Sequence, residues 1–215
     1  MNRVPMMIEY IDMEQGSDGW FEARLNSIGG TAIGKIAPGG KGRQDLLYDF
    51  VGELRTGVPA ASFKFQHADR GHEFEPAARK YYAKENFIEV KEVGLVRCHK
   101  HKHYSPDGLV GENGMIEIKV RTPAVFVRKH FEIMDISLRR QVQWGLWVCD
   151  REWCDCIDYC PEDVDQGNAP LIRRVYRDEK PINKKIEHVT GKDLNEKADE
   201  FIADMYTMVE RLKSA

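Results

Sequence analysis

The stretch Tyr104-Ser-Pro-Asp107-Gly-Leu-Val-Gly111-Glu-Asn-Gly114-Met-Ile-Glu117-Ile-Lys119-Val decides how the chain is read. Ser-Pro-Asp-Gly over 105–108 is a turn, because proline presets one backbone angle and glycine tolerates the rest. Gly111-Glu-Asn-Gly114 is a second turn, of hairpin type. Met115 to Val120 is then the returning strand. Side chains two apart on a strand share a face, so Glu117 and Lys119 point the same way. The hairpin carries them back beside Asp107, gathering two carboxylates and an ammonium at one point. A plainer reading stays open at this stage: Asp107 caps its turn and Glu117–Lys119 is a surface ion pair.

Working outward, Phe87 to Val96 reads as a strand, and a helix over about 72–85 precedes it. Pro76 is tolerable only in a first turn, which puts that helix start near His72–Glu75. Further upstream, Ser17 or Asp18 caps a short helix through Trp20, Phe21, Arg24 and Leu25, broken by Gly29 and Gly30. Thr31 caps a short turn, Ala32 to Ile36. APGGKGRQD (37–45) reads as a flexible loop. Leu46, Leu47, Phe50, Val51 and Leu54 then follow helical spacing up to Gly57 and Pro59. Downstream, Ser137 caps a helix through Leu138, Val142, Leu146 and Cys149. Trp153–Tyr159 and Arg173–Tyr176 read as strands, and a last helix covers about 193–213. Strands and helices interleave along 215 residues, which predicts one α/β (or α+β) domain with a mixed sheet.

Two carboxylates and a lysine suit phosphodiester hydrolysis. Oxygen ligands select a hard cation such as Mg²⁺ or Mn²⁺, which can polarise a phosphoryl oxygen and activate water. A nearby lysine stabilises transition-state charge. The Ile118 carbonyl offers a further oxygen. Glu75 shares a helix stripe with apolar Ala78 and Tyr82, so it borders a buried face and needs a partner or a metal. As a glutamate at a helix N-terminus it also has a purely structural reading.

The ordered set of motifs resembles the YqaJ-like viral recombinase family, of the lambda-exonuclease type, within the PD-(D/E)xK restriction-endonuclease-like superfamily. Gln15-x-Ser17-x-x-Trp20-x-x-x-Arg24 is similar to the family's opening, Gly71-His-Glu-Phe-Glu75 to its helix glutamate, Ser105-Pro-Asp107 with Glu117-Ile-Lys119 to its central motif, and Gln141-Val-Gln143 to its Q-x-Q helix. The loop at 37–45 and the C-terminal tail do not match. The resemblance implies a restriction-endonuclease-like mixed central sheet flanked by helices. It implies Lys119, Glu117, Asp107 and Glu75 as catalytic groups, and Asp107, Glu117, Ile118 and Glu75 around two Mg²⁺ ions, with Mn²⁺ as an alternative. It implies Arg24, Thr31, Ser105 and Gln141 on the 5′-phosphate; a guanidinium binds phosphate bidentately, which suits Arg24. The implied activity is 5′→3′ exonuclease digestion of one strand of duplex DNA. The implied product is mononucleotides and a 3′ overhang, handed to a single-strand annealing protein. A homotrimer and a phage or prophage origin follow from the same resemblance. A restriction- or repair-type endonuclease and a non-catalytic DNA-binding protein are the alternatives.

Composition bounds these expectations. The chain has 32 Lys+Arg against 35 Asp+Glu, so any nucleic-acid affinity rests on local clusters. One such cluster is residues 119–151, with seven Lys/Arg and three Asp/Glu. Arg173, Arg174 and Arg177 form another. No apolar run approaches the roughly 18 residues of a membrane span, and MNRVPMMIEY lacks the apolar core of a signal peptide. Five cysteines, an odd number, fit a reduced cytoplasmic protein better than a disulfide scaffold. Cys149, Cys154, Cys156 and Cys160 have no cluster-binding spacing; Cys154 and Cys156 fall on one strand face as small core residues. His99, His101 and His103 alternate on a strand and read as solvated or DNA-facing.

Overall fold

A computed structural model describes residues 7–60, 68–181 and 186–214. The first six residues, part of the stretch on which the expectation of no signal peptide rests, lie outside these. The chain opens with β1 (Glu9–Ile11), α1 (Asp18–Ala23), α2 (Gly30–Ile36), α3 (Gly40–Thr56) and α4 (Ala68–Asn86). Then come β2 (Val90–Lys91), β3 (Leu95–His99), β4 (Lys102–Tyr104), β5 (Gly108–Val110) and β6 (Gly114–Val120). It closes with α5 (Pro123–Phe131), α6 (Ile136–Val148), β7 (Trp153–Tyr159), α7 (Pro161–Val164), β8 (Leu171–Tyr176) and α8 (Gly191–Lys213).

The larger sheet has the order β2-β5-β6-β7-β8. Only β6 and β7 run parallel; the other neighbours are antiparallel. This is the mixed sheet that the interleaved pattern predicts. The β6–β7 crossover supplies α5 and α6. A second, three-stranded antiparallel sheet, β1-β3-β4, goes beyond what the pattern predicts.

Period-two alternation in β6 divides the core. Ile116 and Ile118 face Ala78 and Tyr82 of α4. Met115 faces the main core, built from α2, α3, α6 and α8. Glu117 and Lys119 share that second face, so the strand's polar pair is directed at α6 rather than at water. Cys154 and Cys156, paired with Met115 and Glu117, are free and buried on the same side. No helix among the described residues is long and apolar enough to cross a membrane.

Several local expectations change. Phe87 to Val96 is not one strand: β2 and β3 belong to different sheets, separated at Gly94, where a Cβ would collide with the Met13 carbonyl. The helix before it starts at Ala68, so Pro76 lies in its interior. Proline brings no N–H to the carbonyl four residues back, and the long packed stripe through Ala78 and Tyr82 offsets that loss. The glycine-rich 37–45 segment is helical from Gly40. Gly39 and Gly40 adopt positive φ of 73° and 70°, reverse the chain and let α3 start at once. Thr31 does not cap α2; Gly29 holds the N-cap position, and Thr31 stands exposed in the first turn. The α6 cap is Asp135 rather than Ser137. α8 starts two residues early, on a capping box between Thr190 and Asp193. Helix α5 is absent from the sequence reading, because its apolar residues Ala124 to Val127 run consecutively and show no helical period.

Candidate active site

Glu117 is the centre of the site and is 2% exposed. Its Oε2 accepts from the Tyr104 hydroxyl at 2.6 Å. Its Oε1 accepts from Lys119 Nζ at 2.6 Å and from Gln141 Nε2 at 2.7 Å. A buried carboxylate is tolerated only with such partners. Three elements converge on it: β4 brings Tyr104, β6 brings Lys119, and α6 brings Gln141. Close approach of the elements depends on glycine. A Cβ at Gly30 would stand 2.7 Å from both Gln141 Cγ and the Tyr104 ring, and one at Gly145 would stand 2.5 Å from Tyr104 Cζ.

Asp107 sits on the turn between β4 and β5. Its Oδ2 accepts the Ile118 N–H at 2.5 Å. β5 ends its pairing at Gly108↔Ile116, so the edge of β6 beyond that point is left to Asp107. A strand residue's N–H and C=O leave on the same side, so the Ile118 carbonyl faces the same edge. Burial pushes the Asp107 carboxyl well above the usual range, and Glu117 and Glu75 push it further. Glu75 is raised as well, chiefly by burial, against the lowering effect of Arg79. Burial works to lower the Lys119 ammonium, but Glu117 and Asp107 outweigh it and hold the pKa above its ordinary value. Asp107 thus feels the charge of two further carboxylates, the electrostatic condition that a divalent cation relieves. The donor set is all oxygen, which fits Mg²⁺ or Mn²⁺. Among the described residues no three His, Cys, Asp or Glu side chains converge as a ready metal cage. Glu75 is turned to Arg79, at 2.6 Å.

The Q-x-S-x-x-W segment braces the Asp107 turn. Gln15 Nε2 donates to the Val93 and Pro106 carbonyls at 3.0 and 3.1 Å. Trp20 Nε1 donates to the Gly94 carbonyl at 3.0 Å and to Ser105 Oγ at 3.2 Å. Ser17 caps α1 by accepting from the Trp20 N–H. Arg24 lies with its guanidinium carbon 3.7 Å over the Trp20 ring, and its Nε donates to His103 Nε2 at 3.2 Å. His103 therefore carries its proton on Nδ1, toward Ser27 Oγ at 2.8 Å. Burial pushes the Arg24 pKa down to about 10, and no carboxylate pairs with it among the described residues.

Of the residues singled out from sequence, Asp107, Glu117, Ile118 and Lys119 meet directly, with Gln141 on the Glu117 carboxylate. Glu75 reaches the same cluster from α4. Arg24 and Thr31 line one cavity, walled by Phe21, Leu25, Ala32 and Leu46. Thr31 also lines a cleft with Lys119 and Gln141. Ser105 is not in either cavity; it is bonded to Trp20. Sequence reasoning missed Tyr104, which carries no motif of its own. It also missed Arg79, which holds Glu75, bonds the Asp107 carbonyl at 2.7 Å and pairs with Glu92. The Glu75–Arg79 spacing of i, i+4 was the available signal for the latter.

A mixed sheet that presents Asp107, Glu117 and Lys119 beside α6 is the fold of an alkaline exonuclease. The chain aligns with the crystal structure of an alkaline exonuclease (LHK-Exo) from Laribacter hongkongensis at a TM-score of 0.78 and 25% identity, over 92% of this chain and 97% of that one. The same enzyme in complex with dAMP matches equally. A phage related exonuclease from Haemophilus somnus 129PT shares the fold, with a TM-score of 0.62, 14% identity, and coverage of 87% of this chain and 95% of that chain. The chain belongs to the YqaJ-like viral recombinase domain family, whose model matches residues 19–152. It is also 28% identical over 183 residues to an uncharacterised protein of Acanthamoeba polyphaga mimivirus, covering 76% of this chain and about a third (32%) of that relative.

Proposed function

We propose that this chain is a Mg²⁺-dependent 5′→3′ exonuclease that degrades one strand of linear duplex DNA from a 5′-phosphorylated end. The observation that carries the reading is the Asp107–Glu117–Lys119 cluster beside a walled cavity containing Arg24 and Thr31. Asp107, Glu117 and the Ile118 carbonyl would hold the cation, with Glu75 as the further acid for a second ion. The cation supplies Lewis-acid charge beside the scissile phosphate and lowers the pKa of water. Lys119, hydrogen-bonded to Glu117 at 2.6 Å, would act as a donor that orients water or stabilises developing negative charge. Tyr104 and Gln141 fix the rotamer of Glu117. Arg24, stacked on Trp20 and unpaired by any carboxylate among the described residues, is prepared for a terminal phosphate, with the Thr31 hydroxyl opposite. Such a grip on the end, set beside the cutting site, releases mononucleotides and gives direction. Ser105, outside the cavity, braces the indole on which Arg24 is stacked.

The resulting 3′ overhang suits a single-strand annealing protein, and family membership favours a homotrimer around the DNA. The test is digestion of linear duplexes with and without a 5′-phosphate, in Mg²⁺ or EDTA, beside a closed circle. Mg²⁺-dependent mononucleotide release from phosphorylated linear ends, with the circle intact, is the expected result. Cleavage of the circle would replace this function with that of an endonuclease, and absence of all cleavage would favour a DNA-binding protein.

A further inference from the structure

Helix α2 stands between two cavities. Thr31 and Lys35, one helical turn apart, lie on one exposed stripe of it. Both residues line the Arg24 cavity and also the cleft on the other side, of about 300 Å³, whose wall includes Lys119, Arg121, Ser137 and Gln141. The cleft is lined by three cationic side chains, Lys35, Lys119 and Arg121, and one acidic one. Lys35 has no ion pair among the described residues. Arg121 is held by Asp158 at 2.6 Å, and the same buried carboxylate also takes Arg173 at 2.8 Å. One negative charge thus anchors two guanidiniums, leaving net positive charge at the Arg121 side. The one acidic lining residue, Asp135, is paired with Lys129 at 2.9 Å. In a chain with more acids than bases, this concentration of cations is local and directed at one opening.

We infer that Lys35 and Arg121 form a second phosphate subsite, for a backbone phosphodiester of the DNA rather than for its 5′-terminal phosphate. The assignment rests on the proposed action on DNA ends. Lys35 provides a point charge, Arg121 a fixed guanidinium, and the Ser137 hydroxyl a neutral donor. An internal phosphodiester is present whether or not the end is phosphorylated, so this subsite is indifferent to end chemistry, unlike the Arg24 cavity.

Lys35 is exposed, so Lys35→Gln leaves the fold undisturbed, and Lys35→Arg restores the charge. The measurement is equilibrium binding of 5′-phosphorylated and 5′-hydroxyl duplexes in EDTA over a salt series, with no cleavage required. Lys35→Gln is expected to weaken both duplexes several-fold and by the same factor. The log–log salt slope should become shallower by about 0.9, the value of one phosphate contact. Lys35→Arg should recover both. Unchanged binding, or a loss confined to the phosphorylated duplex, would overturn the assignment while leaving the exonuclease reading in place. A wild-type protein with no affinity for duplex DNA would overturn both.

Discussion

Replacement of Asp107 by asparagine should stabilise the metal-free protein while abolishing its response to metal. Burial and the neighbouring Glu117 and Glu75 hold the Asp107 carboxyl well above an ordinary aspartate. The unfolded chain has a pKa near 3.9 there. Between those two values the folded state binds more protons than the unfolded one. The contribution of Asp107 to stability is therefore fully present below about pH 4 and is lost as pH rises through the folded value. Each unit of upward shift costs about 1.4 kcal/mol once the group is ionised. Solvent at the cleft mouth, where Asp107 retains some exposure, trims that figure. Asparagine carries no charge, its Oδ1 can still accept the Ile118 N–H, and its amide can donate toward the other carboxylates. For a domain this long, 1 kcal/mol corresponds to roughly 2–4 °C in Tm. Thermal unfolding in EDTA should show Asp107→Asn several degrees above wild type at pH 8–9, with the gap closing toward pH 5. Adding Mn²⁺ at about 100 times its Kd should raise wild type by about 2.7 kcal/mol and leave the variant unmoved. A gap that does not depend on pH, or a variant less stable than wild type at pH 9, would refute the electrostatic account of the site.

Three further outcomes follow from the same geometry. Lys119→Ala should abolish cleavage yet keep DNA binding in a gel-shift assay; undiminished cleavage would remove the proposed site. Arg24→Ala should slow digestion of 5′-phosphorylated ends more than of 5′-hydroxyl ends, and equal slowing would argue against a phosphate pocket. Gly145→Ala places a methyl 2.5 Å from Tyr104 Cζ. It should cost about 1–3 kcal/mol in chemical unfolding and lower kcat by displacing the Glu117 support, whereas a neutral effect would show that the Tyr104 ring can retreat.

How much of this was legible in the sequence varies with the range over which each feature is specified. The hairpin carrying Glu117 and Lys119 was readable because turn chemistry and period two are local, and the partner Asp107 sits in the adjoining turn. The long stripe of α8 was readable for the same reason. The misread elements are those decided by tertiary contact. Pro76 sits in a helix interior because α4 packs against Ile116 and Ile118, a gain invisible within the helix's own residues. The strand read from Phe87 to Val96 divides at Gly94 because Met13, some eighty residues away, occupies the space beside it. In both places local propensity was outweighed by packing.

The site divides along the same line, and this bears on how the family motif works. Sequence spacing identifies which residues carry charge, but not which ones hold them. Gln15 and Trp20 belong to a motif whose last member, Arg24, invites a ligand-binding role for the whole. In the folded chain Gln15 and Trp20 instead bond the Val93, Gly94 and Pro106 carbonyls and Ser105, so they fix the turn on which Asp107 stands. Trp20 also supports Arg24 through the face of its ring. A single indole thereby ties the position of the Asp107 turn to that of the Arg24 guanidinium in the neighbouring cavity. If the proposed exonuclease reading holds, the distance between Arg24 and the Asp107–Glu117–Lys119 cluster is the quantity that sets the product length. A rigid aromatic bridge between the two is a physical reason for tryptophan, rather than a smaller apolar residue, at this position.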